Sequence, residues 1–303
     1  MPVRRIWVAA LLVFVLSTAG GAAAASLHFG RTAAQPPGAP PPPPPHTVTE
    51  EEPELRGEAA PEPESQPGST QPAAVPEEPL PKGEGKIAII IDDMGQNLPG
   101  TADLLQIDRP LTFSFLPHTP HFETEVSKVE ARGQDVFLHL PMEPLPSTGA
   151  NPGPDAITTA MTDNEIQQRV RELAATLPGA RGANNHMGSL ATADGRVMQD
   201  VVAALKSVDL PFVDSRTQPQ SLGYETARAA GLPAAANSLF IDRERTVPAV
   251  KARLRQAALL AQKHGAVIII GHPHPSVAQA IREMIPLFDQ AGIELVFARQ
   301  LAH

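Results

Sequence analysis

The stretch Lys-Ile-Ala-Ile-Ile-Ile-Asp-Asp-Met-Gly, residues 86–95, decides the fold of this 303-residue chain. Its apolar residues follow one another without alternation, which is typical of a strand buried on both faces of a parallel sheet. Two carboxylates come where the strand would end, and a glycine follows that suits a tight turn. The segment therefore predicts a central parallel strand with acidic residues at its carboxyl end.

The same pattern recurs in type, though not in sequence, up to the end of the chain. Short apolar runs predict strands over 86–91, 111–116, 135–139, 182–185, 212–214, 234–239, 266–270 and 294–297. Amphipathic stretches between them predict helices over 163–177, 195–208, 247–264 and 276–291, the first of them capped by Thr162. Strands that alternate with helices indicate a parallel sheet covered by helices, and seven or eight such units close as a distorted (β/α) barrel. We assign the barrel to residues 84–303.

The first 83 residues have a different composition. Arg4 and Arg5 precede a short apolar run and an alanine-rich stretch, so residues 1–30 are expected to be an export signal or an uncleaved membrane anchor. Residues 31–83 are rich in proline, glutamate and alanine, which predicts a disordered spacer. The positive amino terminus predicts export, to the periplasm or to the outer face of the inner membrane.

Composition excludes several classes of function. The chain has no cysteine, which rules out disulfides, thiolate metal sites and cysteine nucleophiles. Its formal net charge of -9 argues against a nucleic-acid partner. A single tryptophan and a single tyrosine argue against a broad aromatic platform for sugars.

Candidate functional residues follow the predicted strands, because the sites of such barrels are built at the carboxyl ends of the strands. Five of the eight histidines of the barrel domain come directly after strands. The candidates are Asp92, Asp93, His139, Glu143, Asn185, His186, Ser189, Asp214, Arg216, His272 and His274.

Each candidate also has an ordinary structural explanation. Asp92 and Asp93 suit a metal site or a helix cap, and His139 suits a ligand or a satisfied core histidine. The segment Asn-Asn-His-Met-Gly-Ser, residues 184–189, suits a strained ligand-presenting loop or a polar turn.

The remaining candidates also allow more than one interpretation. Asp214 could orient an imidazole, and Arg216 could hold Asp92 or Asp214 charged or form a plain ion pair. Prolines follow both His272 and His274, and we expect only one of these two imidazoles in the site.

Together these segments resemble the divergent polysaccharide deacetylases. The blocks that carry the resemblance are Ile-Ile-Asp-Asp-Met-Gly (90–95), His-Leu-Pro-Met-Glu-Pro (139–144), Asn-Asn-His-Met-Gly-Ser (184–189), Asp-Ser-Arg-Thr (214–217) and Gly-His-Pro-His-Pro (271–275). The resemblance covers essentially the whole barrel domain. It implies a distorted barrel related to metal-dependent enzymes that remove acetyl groups from N-acetyl sugars.

The resemblance also implies roles for individual residues. It makes Asp92 the base, Asp93 and His139 metal ligands, and His272 the acid, with Asp214 as its candidate partner. The second histidine of the family's ligand motif is replaced here by Glu143. Either Glu143 or His186 then completes the site, and we favour His186, because two imidazoles and one carboxylate suit catalytic Zn²⁺.

The expected function is therefore hydrolysis of N-acetyl groups on an envelope glycan such as peptidoglycan, with Asn185 or a backbone N–H assisting at the oxyanion. One alternative is an inactive relative that binds glycan or an envelope protein, which the missing histidine and the scarcity of aromatic residues support. A third possibility is a metal phosphohydrolase, since paired aspartates also hold Mg²⁺.

Overall fold

A computed structural model describes residues 79–303, which form one α/β barrel with its helices outside. The predicted signal or anchor and all but the last residues of the predicted spacer lie outside the described residues. Among the described helices, none has the length and apolar character needed to cross a membrane.

Eight strands and seven helices alternate along the described chain. The strands are β1 (Gly85–Met94), β2 (Thr112–Phe115), β3 (Asp135–Met142), β4 (Ala183–Met187), β5 (Phe212–Asp214), β6 (Ala234–Phe240), β7 (Ala266–Gly271) and β8 (Ile293–Val296). The helices are α1 (Thr101–Leu104), α2 (Phe122–Glu130), α3 (Asp163–Ala175), α4 (Gly195–Ser207), α5 (Gly223–Ala229), α6 (Val247–His264) and α7 (Pro275–Ala291). All eight predicted strands and all four predicted helices are present, and the short helices α1, α2 and α5 were not predicted.

Seven parallel strands close the barrel. Strands β1 to β7 pair in chain order, and β1 also pairs with β7. On the side of β1 opposite β7, the first half of β1 pairs with β8 and the second half pairs with β2. The predicted distorted barrel is thus confirmed, with seven strands in the ring and the eighth as an addition.

The two faces of β1 bury different sets of side chains. Ala88 and Ile90 join an inner cluster formed mainly by strand residues, together with Phe137, Val213, Ile268 and Ile270. Ile87, Ile89 and Ile91 pack outward against α6 and α7. These five consecutive residues of β1 are all fully buried, which is why the run shows no alternation of apolar and polar residues.

The alternation of side chains between the inner and outer faces continues into the polar ends of the strands. Successive strand residues point to opposite faces, so Asp92 follows Ala88 and Ile90 on the inner face. By the same rule His139 follows Phe137, and His272 follows Ile268 and Ile270. The end of the barrel interior at the carboxyl ends of the strands is therefore polar, and the apolar inner cluster lies directly below it.

Close contact between β1 and α6 depends on Gly85. A Cβ atom at this position would lie 2.7 Å from the carbonyl carbon of Ala261 in α6, which is too close for a non-bonded contact. We expect Gly85→Ala to lower the free energy of unfolding by about 1–3 kcal/mol, because α6 must shift outward. Gly195→Ala is the control, since its Cβ would meet nothing nearer than 3.7 Å. Thermal unfolding of both variants tests this, and an unchanged Tm for Gly85→Ala would contradict it.

Candidate metal centre

The candidate site lies at the carboxyl ends of the strands, on one face of the barrel. Because all strands are parallel, these ends meet on the same side. Asp92 and Asp93 lie in the last part of β1, His139 in β3 and His186 in β4, while His272 directly follows β7. The structure brings these five predicted residues together.

A local irregularity of β1 brings both aspartates into the site. Between Ile91 and Met94, β1 advances three residues while β2 advances two, which is a β-bulge. Asp93 has a left-handed backbone with φ of 57°. In a regular strand Asp93 would face the helices, whereas here both carboxylates reach His139 Nε2, Asp92 Oδ2 at 3.6 Å and Asp93 Oδ1 at 3.4 Å.

Asp93, His139 and His186 form a three-residue cluster with metal-ligand character. One ligand atom from each lies within 4.8 Å of the other two. His186 Nδ1 is 2.9 Å from Asp93 Oδ1, and the two imidazole rings meet edge to face at 5.0 Å. Two imidazoles and one carboxylate are a donor set of catalytic zinc sites, in which a further position stays open for water or substrate.

Two further observations fit a cation at this point. Asp93 Oδ1 is buried, and no hydrogen bond of acceptable geometry reaches it, although two imidazole nitrogens are close. Burial alone would raise the pKa of Asp93, but the imidazoles of His139 and His186 hold that pKa well below its usual range. Asp92 and Asp93 raise the pKa of His139 in spite of its burial, because carboxylates beside the imidazole favour its charged form.

Asn184 orients the cluster from below. Its Oδ1 is 2.9 Å from His139 Nδ1 and also accepts a hydrogen bond from Ser114 Oγ. Its Nδ2 donates to Asp92 Oδ1 at 2.8 Å and to Ser215 Oγ at 3.1 Å. An amide oxygen can only accept, so His139 carries its proton on Nδ1 and turns Nε2 toward the two aspartates.

Asp92 is the most deeply buried acid of the site. Burial raises its pKa, while the neighbouring imidazoles of His139 and His272 and the Asn184 amide offset part of that rise. Because Asn184 occupies Oδ1, Oδ2 is the oxygen that faces His139. The carboxylate is thus held in one orientation with one oxygen available for proton transfer.

His272 pairs with Asp242. Asp242 Oδ2 accepts the backbone N–H of His272 at 2.8 Å and lies 3.0 Å from its Nδ1. Burial would lower the pKa of His272, but Asp242 first, and then Asp92 and Asp93, raise it to about 9. Nε2 points into the site, 3.9 Å from Asp93 Oδ2, and the ring stacks on Phe240.

Two cavities flank the cluster. One of about 330 Å³ is lined by Pro144, Thr148, Ser189, Phe240 and His272. The other, of about 470 Å³, is lined by Pro117, His118, Asn151, Pro154 and Asp155. Both include Asp93 and His186, so the candidate centre lies where the two cavities meet.

A family model described as divergent polysaccharide deacetylase matches residues 89–302, nearly the whole barrel. The chain belongs to this family. Among curated proteins, this chain is 31% identical over 201 residues to the uncharacterized protein YibQ of Escherichia coli strain K12. It is 30% identical over 199 residues to an uncharacterized protein of Haemophilus influenzae strain ATCC 51907. Each match covers 66% of this chain, and they cover 62% and 70% of those relatives.

A solved structure supports the fold of this member of the divergent polysaccharide deacetylase family. An uncharacterized protein from Agrobacterium tumefaciens C58 superposes with a TM-score of 0.68 at 22% identity. The match covers 73% of this chain and 90% of that one. At this identity the likeness shows the fold alone, which agrees with the barrel described above.

Asp214 does not partner His272, and that expectation is corrected. Its carboxylate accepts hydrogen bonds from Ser221 Oγ at 2.7 Å, from the backbone N–H of Tyr224 at 3.1 Å and from that of Arg216 at 2.8 Å. Val213 points into the inner cluster, so its neighbour Asp214 must point outward, toward α5. Its contacts are those of a structural residue that fixes the loop after β5.

Glu143 lies outside the cluster. Its Oε2 accepts hydrogen bonds from the backbone N–H and the hydroxyl of Thr159, at 2.7 and 2.8 Å. Glu143 therefore braces the long loop between β3 and α3. Of the two ways to complete the ligand set, the geometry brings only His186 to Asp93 and His139.

The other predicted site residues hold loops around the cleft. Asn185 donates to the Met187 carbonyl and accepts from the Ser215 N–H, so its amide is engaged at both ends rather than free for an oxyanion. Ser189 Oγ accepts the N–H of Leu145. Arg216 pairs with Glu225 at 3.3 Å rather than with Asp92 or Asp214.

His274 caps α7, its Nδ1 accepting the Ser276 backbone N–H at 3.4 Å. This leaves His272 as the imidazole of the pair that faces the site.

Sequence analysis missed Asp242 and the central part played by Asn184. Asp242 follows Phe240 and Ile241 just beyond β6, which makes it a carboxylate at a strand end like the others. The predicted strand stopped at residue 239, and Asp242 was therefore not among the candidates. The extended strand and the alternation of faces would have identified it.

The Asn184 network predicts a selective loss of metal binding. Asn184→Ala should weaken the binding of a divalent metal ion at this candidate centre, measured with zinc, by about 10- to 100-fold, because His139 and Asp92 lose their common orienting group. Asn237→Ala is the matched control: this buried amide bonds to the Ser215 carbonyl and the Leu239 N–H but touches neither His139 nor Asp92. Competition titration with a chromophoric chelator measures both affinities. Equal zinc affinity in the two variants would contradict the assigned part of Asn184.

Proposed function

We propose that this chain is a metal-dependent hydrolase that removes N-acetyl groups from an envelope polysaccharide. The observation that carries the proposal is the convergence of Asp93, His139 and His186 with Asp92 and His272 at the meeting point of two open cavities. Membership of the divergent polysaccharide deacetylase family supports the reaction class.

The proposed metal is Zn²⁺, held by Asp93, His139 and His186. Imidazole ligands favour zinc over Mg²⁺, which prefers an all-oxygen shell. When bound, the cation would polarise the acetyl carbonyl and acidify a water molecule. The remaining chemistry falls to side chains of the protein.

Asp92 would act as the base. Its Oδ2 faces the centre, and its orientation is fixed by Asn184. Burial raises the pKa of Asp92 and so makes the carboxylate a better proton acceptor than an exposed aspartate. It would accept the proton of the attacking water as the carbon–oxygen bond forms.

His272 would act as the acid. The pKa of about 9 that its carboxylate neighbours impose keeps the imidazole protonated at neutral pH. Asp242 holds Nδ1, so Nε2 is the nitrogen that can donate into the cleft. Its proton would pass to the sugar nitrogen as the carbon–nitrogen bond breaks, and the products would be acetate and a free amine.

The same proposal places the barrel outside the cytoplasm, where an acetylated glycan such as peptidoglycan would be within reach. Its support is the sequence of residues 1–83, with its basic start, apolar run and proline-rich spacer. Cleavage of residues 1–30 would leave the domain free, whereas their retention as an anchor would leave it tethered to the membrane.

Metal content is the first test. The purified full-length chain, incubated with zinc and desalted, should retain one equivalent by elemental analysis, and His139→Ala should retain far less. His274→Ala is the matched control, because this imidazole caps α7 and lies outside the cluster. A wild-type protein that binds no zinc, cobalt or manganese would overturn the hydrolase mechanism.

Activity is the second test. Zinc-loaded protein should release acetate from N-acetylglucosamine oligomers, and Asp92→Asn or His272→Ala should lower kcat by about 100- to 10,000-fold. Both variants should still bind zinc, because neither residue is a proposed ligand. Asp209→Asn is the control: it is exposed, and asparagine tolerates its left-handed backbone with φ of 58°.

Oligomer binding by the zinc-loaded wild type without release of acetate would favour an inactive, glycan-binding relative over the enzyme.

A further inference from the structure

Glu125 of α2 is a buried carboxylate that the proposed mechanism does not use. Only 2% of the residue is exposed. Its Oε2 accepts the backbone N–H of Gly95 at 2.8 Å, and its Oε1 accepts that of Asn97 at 2.7 Å. Both partners belong to the loop that begins directly after Met94, the last residue of β1, so Glu125 ties α2 to that loop from about thirty residues away.

The loop that Glu125 holds is strained. Asp93, Gly95 and Asn97 have φ values of 57°, 97° and 54°. The left-handed region costs energy for residues other than glycine, and such conformations persist only where the surroundings fix them. The series begins at Asp93, whose left-handed backbone turns its carboxylate toward His139 and His186.

The surroundings make the loop a close fit against the start of α2. The His121 N–H donates to the Gly95 carbonyl at 2.8 Å, and a Cβ at Gly95 would lie 2.1 Å from Thr119 Oγ1. A carboxylate suits this place because each of its oxygens accepts one N–H. In a glutamine of the same shape, the NH₂ group would face one of the two backbone N–H donors and could not accept its hydrogen bond.

We propose that Glu125 is a positioning residue that holds Asp93 in its ligand conformation by clamping the loop Gly95–Asn97. The inference rests on the proposed function, since it concerns the affinity of the site for zinc. Glu125 does not touch Asp93. It fixes the backbone that gives the Asp93 carboxylate its direction.

The experiment compares zinc binding and stability in the full-length chain. Glu125→Gln should weaken zinc affinity by about 10- to 100-fold and alter the visible spectrum of the cobalt-substituted protein, because the Asp93 ligand moves. Glu165→Gln is the matched control. Glu165 also accepts a backbone N–H and a hydroxyl, both from Thr162, but at the start of α3 and away from the site. The control should bind zinc as the wild type does, with the same cobalt spectrum.

A double-mutant cycle with Asp93→Asn separates positioning from general loosening. If Glu125 acts through Asp93, Glu125→Gln should cost little further affinity once Asp93 has been replaced. Should Glu125→Gln not fold, Glu125→Asp takes its place in the cycle with the same expectation, because the shorter side chain cannot reach both donors.

The outcomes distinguish the inference from the function on which it rests. If Glu125→Gln lowers Tm but keeps the zinc affinity and cobalt spectrum of the wild type, the positioning part is overturned and the metal site stands. An additive loss of affinity in the cycle would also overturn it. If the wild type binds no metal, the proposed function and this inference fall together, and the wild-type measurement alone shows it.

Discussion

The extra residue in β1 at Asp92–Asp93 is the constraint on which the site depends. A regular strand would point Asp92 into the barrel and Asp93 out toward the helices. The bulge and the left-handed backbone of Asp93 instead turn two adjacent carboxylates toward the same imidazole. Two acids from one strand can then have different tasks, because Asp92 stays buried on Asn184 while Asp93 meets His139 and His186.

The electrostatics of the site follow from where each acid lies. Burial raises the pKa of Asp92, which favours a base, and the imidazoles around Asp93 lower its pKa, which favours a permanent anion. Asp242 raises the pKa of His272 and so favours a charged imidazole on the other side of the cluster. The surroundings thus give three neighbouring side chains different protonation preferences, which suit the base, ligand and acid of the proposed mechanism.

The alternation of faces explains what the sequence could and could not predict. Short runs, most of them apolar, were sufficient to predict all eight strands, and the chemistry of the strand ends was sufficient to predict the five residues that meet at the centre. Asp214 was expected to partner His272, and Asp242 was not among the candidates, because the alternation of faces was not applied at the strand ends. Val213 faces inward, so Asp214 faces outward, whereas Asp242 comes two residues after Phe240, which packs on the inner cluster. The bulge, the short helices and the Glu125 clamp depend on tertiary contacts that no local pattern contains.

The replacement of a second histidine by Glu143 is compatible with the proposed metal site, because a ligand set is defined in space rather than along one strand. β3 continues through Met142, and Glu143 passes beyond the rim to brace the following loop. β4 runs beside it, with His139 in register with Asn184. His186 lies two residues further, on the same face as Asn184, which places its imidazole at the level of Asp93. One strand thus supplies both the group that orients His139 and the second imidazole of the proposed ligand set, which gives the segment Asn-Asn-His a physical reason for its spacing.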